Sequence, residues 1–327
     1  PAMVPNTIHI YWNDPTPPDF VVRCVSTWRK HNPSFTVNLL NEDVAAKKYP
    51  ERPPGFQNLG NAHKSDWIRL RHMEAVGGVY VDATCVSTGR PVDRWVDMEE
   101  PRVQGFKSPF ARKDENMEIW AFACPPNSEF IRCWRKHLED AMKEEFVPYC
   151  DGATEEEKGV ELPPKLPYLT TNLCWRKANI EKPNSCKIQE SNFGDGPLVF
   201  LERAKWNKHK AVRSLLHKSE NVSVFPFLKL RGVERQVAIE MISEGDYQQN
   251  STLGKLLELP EPRPKVDERL GEKRSSKVAN APSFIAGLEG FAVDAGVGST
   301  EDGATIRKKK KRKRKSDRQE NRVTSDA

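Results

Sequence analysis

The segment Asn61-Ala-His-Lys-Ser-Asp66-Trp-Ile-Arg69-Leu-Arg-His-Met-Glu-Ala-Val-Gly77-Gly78-Val79-Tyr80-Val81-Asp82 changes period partway along. Trp67, Leu70, Met73 and then Ala75 and Val76 recur at helical spacing and predict a helix with these residues inward. Gly77-Gly78 stops it, supplying a left-handed terminal residue and a tight entry to the next element. Val79-Tyr80-Val81 then reads as a strand that delivers Asp82 at its carboxyl end. In open α/β sheets, ligands bind outside the carboxyl ends of the strands, which makes Asp82 a candidate for chemistry. Asp66 and Arg69 are three apart and share one helix face.

Upstream, Thr7-Ile-His-Ile-Tyr-Trp12 reads as a strand closed by Asn-Asp-Pro. Pro17-Pro18-Asp19 opens a helix, Asn32-Pro33 ends it, and residues 35–40 form a second strand. Asn41 can cap a short helix whose acids come first and whose lysines come last, as the helix dipole favours. Strand and helix in alternation predict parallel α/β layering. Downstream, residues 117–124 read as a buried strand and 128–145 as an amphipathic helix. Residues 151–165 read as an acidic loop, 168–178 as a helix, 187–189 as a short strand, and Asn192-Phe-Gly-Asp195-Gly-Pro197 as a tight turn before another helix. Residues 222–230 have strand character interrupted by Pro226.

Only 37% of the 327 residues are hydrophobic and 25 are Pro, too lean a mixture for one fully packed body. The lean part is the C-terminal end. We expect one domain over residues 1–245, a linker over 246–259 and a disordered tail over 260–327. The tail holds nine consecutive basic residues, 307–315; removing them from the net charge of +6 leaves −3. A near-neutral body argues against a nucleic-acid-binding core. The basic run reads equally as a solvated tail or as a nuclear-import-like, polyanion-binding or anionic-membrane patch.

Seven cysteines without CxxC or Cys/His zinc spacing argue against a disulfide scaffold or a zinc module. No apolar run is long enough to span a membrane. The chain begins with Pro1, which leaves room for an upstream segment, and Asn221-Val-Ser and Asn250-Ser-Thr are sequons that matter only in a secretory compartment. The compartment stays open between Golgi or secretory lumen and cytoplasm.

Two carboxylates and a guanidinium converging near a strand end suit a polyhydroxylated, phosphorylated ligand. Three ordered blocks, Pro5-Asn-Thr-Ile-His-Ile-Tyr-Trp12, Ala62-His-Lys-Ser-Asp66-Trp-Ile-Arg69 and Gly77-Gly-Val-Tyr80-Val-Asp82-Ala-Thr84, resemble the GT-A-fold glycosyltransferases with a DXD-type sugar-binding region, including the capsular-polysaccharide-synthesis type. The resemblance covers residues 4–93 and extends weakly to Arg231 through Gly194-Asp195-Gly-Pro and Leu228-Lys229-Leu. It implies a single GT-A α/β domain that moves a sugar from a nucleotide-sugar donor to a glycan or glycoconjugate acceptor, with retention of configuration and help from Mn²⁺ or Mg²⁺.

Carried over by residue, it implies that Trp12 stacks on the donor's base, that Asp66 and Arg69 grip the donor, and that Asp82 faces the diphosphate and its metal. Tyr80 is then a donor contact or plain strand core, and His9 and His63 read as packed histidines. The departure falls on the metal, because Asp82-Ala83-Thr84 lacks the second carboxylate and Thr is a poor ligand for a hard cation. Asp195 is the replacement within reach of the pattern, or an ordinary turn residue. Two other classes stay in play: a nucleotide-sugar-binding pseudoenzyme, and an interaction protein acting through its polybasic tail.

Overall fold

The computed structural model describes residues 3–108, 116–160, 162, 165–190 and 196–262. These residues fall in one compact unit, Pro1–Val266. The strands among them are β1 (Thr7–Tyr11), β2 (Thr36–Leu40), β3 (Gly78–Val81), β4 (Cys85–Ser87), β5 (Val103–Lys107), β6 (Met117–Cys124), β7 (Cys186–Gln189) and β8 (Phe227–Lys229). Six form one sheet in the order β2-β1-β3-β6-β5-β7, and β4 pairs with β8 in a separate ribbon. In the main sheet β2, β1 and β3 are parallel, as the alternation of elements predicts, but β6 inserts antiparallel between β3 and β5.

Side-chain alternation along the strands divides the core into two layers. Ile8, Ile10, Val79 and Val81 pack with Phe20, Val25 and Trp28 of the helix Asp19–His31 and with Val212, Leu216 and Val237. Tyr80, Phe122 and Cys124 face the other way, onto Trp67, Leu70 and Met73 and the helices Glu129–Glu144 and Thr170–Glu181. The helix Asn61–Val76 is buried more widely than its apolar spacing predicts. Asp66, Arg69, His72 and Glu74 are buried along with its apolar residues, while Ala75 and Val76 are only partly covered. Glu74 is offset by Arg132 at 2.9 Å and Arg135 at 2.6 Å, which lets a carboxylate sit between two helices.

Gly77 and Gly78 do more than end that helix. Their φ values are +64° and +99°, and a Cβ would stand 2.4 Å from the Pro126 nitrogen at the first and 2.7 Å from the Thr7 carbonyl oxygen at the second. No side chain fits where the helix end, β1 and the loop after β6 meet. The double glycine therefore fixes how tightly β3 is drawn between its neighbours.

Several boundaries differ from the sequence reading. Residues 246–259 are not a linker. Ser251 caps the short helix Thr252–Leu256, Leu253, Leu257 and Leu259 enter the core, and Arg23 donates to the carbonyls of Leu257 and Glu258. The loop at 151–165 contains a capped turn of helix, Glu155–Lys158. Only Phe227–Lys229 of the segment 222–230 is strand, because Pro226 cannot donate to a ladder. The expected disordered tail with its basic run at 307–315 lies outside the described residues, apart from 260–262.

Candidate active site

Parallel pairing of β1 with β3, with His9 opposite Tyr80, brings the chain after both strands to one edge of the sheet. Trp12 and Asp82 therefore emerge side by side at the carboxyl ends. The helix Asn61–Val76 returns across the Tyr80 face, which carries Arg69 to Asp82. From the opposite layer, the β4–β8 ribbon sets Cys85 opposite Lys229, and the helix Gly232–Ser243 begins three residues past the end of β8. Residues distant in sequence thus converge on the end of β3.

Asp82 is the centre of the resulting network. Its Oδ1 accepts from the Tyr80 hydroxyl at 3.2 Å and pairs with Arg69 at 3.2 Å. Its Oδ2 accepts from the Lys229 ammonium at 2.6 Å. Arg69 is tied from behind: it donates to the Ile119 carbonyl at 2.7 Å and to the Ser65 hydroxyl at 3.0 Å, and pairs with Asp66 at 3.4 Å. Asp66 in turn accepts from Thr171 at 2.7 Å. Asp66, Arg69 and Tyr80 are buried, so they stand behind Asp82 and hold it rather than line an open surface. The Asp82 side chain keeps 24% of its surface exposed, against 6% for Arg69 and 7% for Lys229.

Trp12 is half-buried beside this network, and its ring faces the Arg235 guanidinium at 5.5 Å. Lys229, which the sequence offers only through the weak Leu-Lys-Leu match, lies 2.6 Å from Asp82. Arg235 and Glu118 were missed. Glu118, on β6, is partly buried and hydrogen-bonds to the side chains of Ser108 and Trp120, within electrostatic reach of Lys229 and Asp82. Neither residue belongs to a local pattern; only the antiparallel return of β6 and the helix after β8 bring them here.

Burial alone would push the Asp82 carboxyl up, but Lys229 and Arg69, with hydrogen bonds from Lys229 and Tyr80, hold it below the ordinary carboxylate range. The opposite happens at Asp66 and Glu118. Burial raises both, and outweighs Arg69, His63 and Thr171 at the first and Ser108, Lys229 and Trp120 at the second. Asp82 is therefore the firmly ionised acid of the group.

The expected divalent cation can be tested against these donors. Both Asp82 oxygens are already ion-paired with cationic groups. The Thr84 side chain, at the second DXD position, is buried and donates to the Leu230 carbonyl at 2.7 Å. Hard cations need several oxygens free to converge. Among the described residues, the Asp82-Ala83-Thr84 segment does not offer them. Asp195 lies outside the described residues; Pro197, two residues on, accepts from the Lys229 backbone at 3.0 Å.

Two other polar clusters lie apart. His9, His72 and Tyr49 form a chain, with Tyr49 to His72 at 2.8 Å and His72 to His9 at 2.9 Å, beside a cavity of about 530 Å³ that also meets Arg29, Asn38 and Lys48. His63 packs edge-on against Phe146. Cys133, His137 and Glu181 meet between two helices, where Glu181 accepts from the Cys133 thiol at 3.2 Å and lies 2.8 Å from His137.

Residues 2–147 match the family model described as capsular polysaccharide synthesis protein, a stretch that includes Trp12, Asp66, Arg69, Tyr80 and Asp82. No curated protein matches the chain. Among solved structures, it is similar to the PaToxG glycosyltransferase at 12% identity and a TM-score of 0.38, covering 73% of this chain and 84% of that one. It is similar to the UDP-bound glycosyltransferase domain of the YGT toxin at 11% identity and a TM-score of 0.39, covering 83% and 96%. A glycosyltransferase involved in glycosylation of the major capsid of PBCV-1 matches at 10% identity and a TM-score of 0.34, covering 72% and 99%. The family match bears out the resemblance read from the three sequence blocks and supports a glycosyltransferase.

Proposed function

We propose that the chain transfers a sugar from a nucleoside-diphosphate sugar to a glycan or glycoconjugate acceptor, at the site built on Asp82. The observation that carries this reading is the clamping of Asp82 at the carboxyl end of β3 between Arg69 and Lys229. A cationic nest at that edge, with an aromatic face beside it, suits a diphosphate joined to a base. Trp12 stacks on the base, and Asp82 orients Lys229 and meets the donor's polar groups. Tyr80, Arg69 and Asp66 keep Asp82 in place. When the glycosidic bond breaks, charge develops on the departing diphosphate, and fixed cations at that point lower the barrier. Retention of anomeric configuration is part of the proposal, and proton NMR of the first-formed product tests it.

The reading is tested by incubating the full chain with UDP-, GDP-, CDP- and ADP-sugars and following release of the nucleoside diphosphate. Turnover of one donor, abolished in Asp82→Asn, is the expected result. Tight binding of a donor with no release, with or without acceptor glycans, would instead make the chain a nucleotide-sugar-binding pseudoenzyme.

A further inference from the structure

Arg235 is the unusual cation of the site. Its guanidinium is half-buried and, among the described residues, makes no hydrogen bond and no ion pair. Its close partner is the Trp12 ring at 5.5 Å, a weak counter-charge. One helical turn earlier stands Arg231, a like charge already committed to Glu234 at 2.7 Å. Burial disfavours the charged form of Arg235, and Asp82, the acid that favours it, is itself shared between Arg69 and Lys229. A desolvated cation left without a partner is costly unless an anion completes the site.

Lys229 is placed to act with it. Its buried ammonium has three donors, of which one meets Asp82 at 2.6 Å and another points to the Thr84 hydroxyl at 3.5 Å. It stands on Asp82 Oδ2, one of the two carboxylate oxygens that could otherwise serve a divalent ion.

We propose that Arg235 and Lys229 bind the donor's diphosphate together without a divalent metal, Arg235 meeting the phosphate oxygens from the face of Trp12. This rests on the glycosyltransferase reading and names the groups that do the cation's work in it. Arg235 is then a ligand-binding residue that also couples base and phosphate recognition, since Trp12 holds the one and carries the other. Thr84 needs no carboxylate, because no metal requires a second one.

The test is calorimetric titration of the full chain with UDP and with GDP, in EDTA and again with excess Mn²⁺. We expect at least one of them to bind with affinity in EDTA within ~3-fold of that in Mn²⁺, far less than the ~100-fold lost with a key electrostatic contact. Arg235→Gln, a change at a half-exposed helix position, should weaken that binding by ~10-fold or more, and Arg235→Lys by less. Lys229→Met should weaken it further if the variant folds; the comparison of EDTA with Mn²⁺ needs no variant. Binding that appears only with Mn²⁺ would overturn the proposal while leaving the transferase reading intact. So would unchanged affinity in Arg235→Gln. Failure of both nucleotides to bind under either condition would count against both readings.

Discussion

Two buried polar clusters sit on β1 and its neighbours, and they have opposite chemistry. At the carboxyl edge, Asp82, Arg69 and Lys229 are in ion-pair contact with Arg235 beside them. Along the face toward β2, His9, His72 and Tyr49 are linked by hydrogen bonds only. Burial, assisted by Lys48 at both and by His9 at His72, lowers His9 to about 4 and His72 to about 3, while burial raises Tyr49 to about 12. The second cluster is therefore neutral at physiological pH, and in the first Asp82, Arg69 and Lys229 stay charged because each has an opposite charge at hand. The cavity of about 530 Å³ adjoins the neutral cluster. A cavity alone would suggest a ligand there; the proposal instead puts an anionic ligand against the cations beside Asp82.

The sharpest way to break this contrast is Asp82→Asn, which keeps the shape and removes the charge that holds Arg69 and Lys229. Donor turnover should fall by ~100-fold or more, with the far-UV circular dichroism unchanged. Retention of more than about a tenth of the wild-type rate would move the active site elsewhere.

Thr84→Asp separates the sequence view of this motif from the structural one. On sequence alone the change restores a missing carboxylate and should be tolerated. In the structure it removes the donor to the Leu230 carbonyl and buries a charge. A stability loss of ~1–3 kcal/mol in urea unfolding is expected, with no gain of Mn²⁺ dependence. Trp12→Ala should weaken binding of the nucleoside diphosphate by ~10-fold, within the range for base–aromatic stacking. Unchanged affinity would return Trp12 to a packing role.

The neutral cluster gives the smallest effect, and its sign is set by the lowered histidines. Below about pH 6.5 their unfolded forms take up protons while the folded forms stay neutral until about pH 4. Stability should therefore drop as pH falls through that window, by up to ~1.4 kcal/mol per pH unit for each histidine. Asp66 and Glu118, raised by burial, oppose this trend, so His72→Gln is the informative control. It should reduce the slope of unfolding free energy against pH, and an unchanged slope would mean that His72 is not buried neutral.

What could be read from the sequence was local. The helix, the double glycine and the short strand place Asp66, Arg69 and Asp82 within a span of 17 residues, and periodicity fixes their faces. Trp12 follows from the same logic on a neighbouring parallel strand. Lys229, Arg235 and Glu118 reach the site through a β-ribbon, the helix after it and an antiparallel insertion, none of which leaves a spacing to recognise. The resemblance gives Asp66 to the donor and leaves Tyr80 between donor contact and strand core, because the motif does not reveal depth. Burial shows them behind Asp82. The misread linker had a legible signal, Ser251 as a cap followed by Leu253, Leu256 and Leu257 at helical spacing, obscured by the proline-rich residues just beyond.

The most direct test of the account is a crystal structure of the full chain with whichever of UDP or GDP binds. The account predicts the base against Trp12 and the phosphates between Arg235 and Lys229, over the carboxyl end of β3. Nucleotide seated instead in the cavity beside His9 and His72, with the Asp82 edge empty, would contradict it.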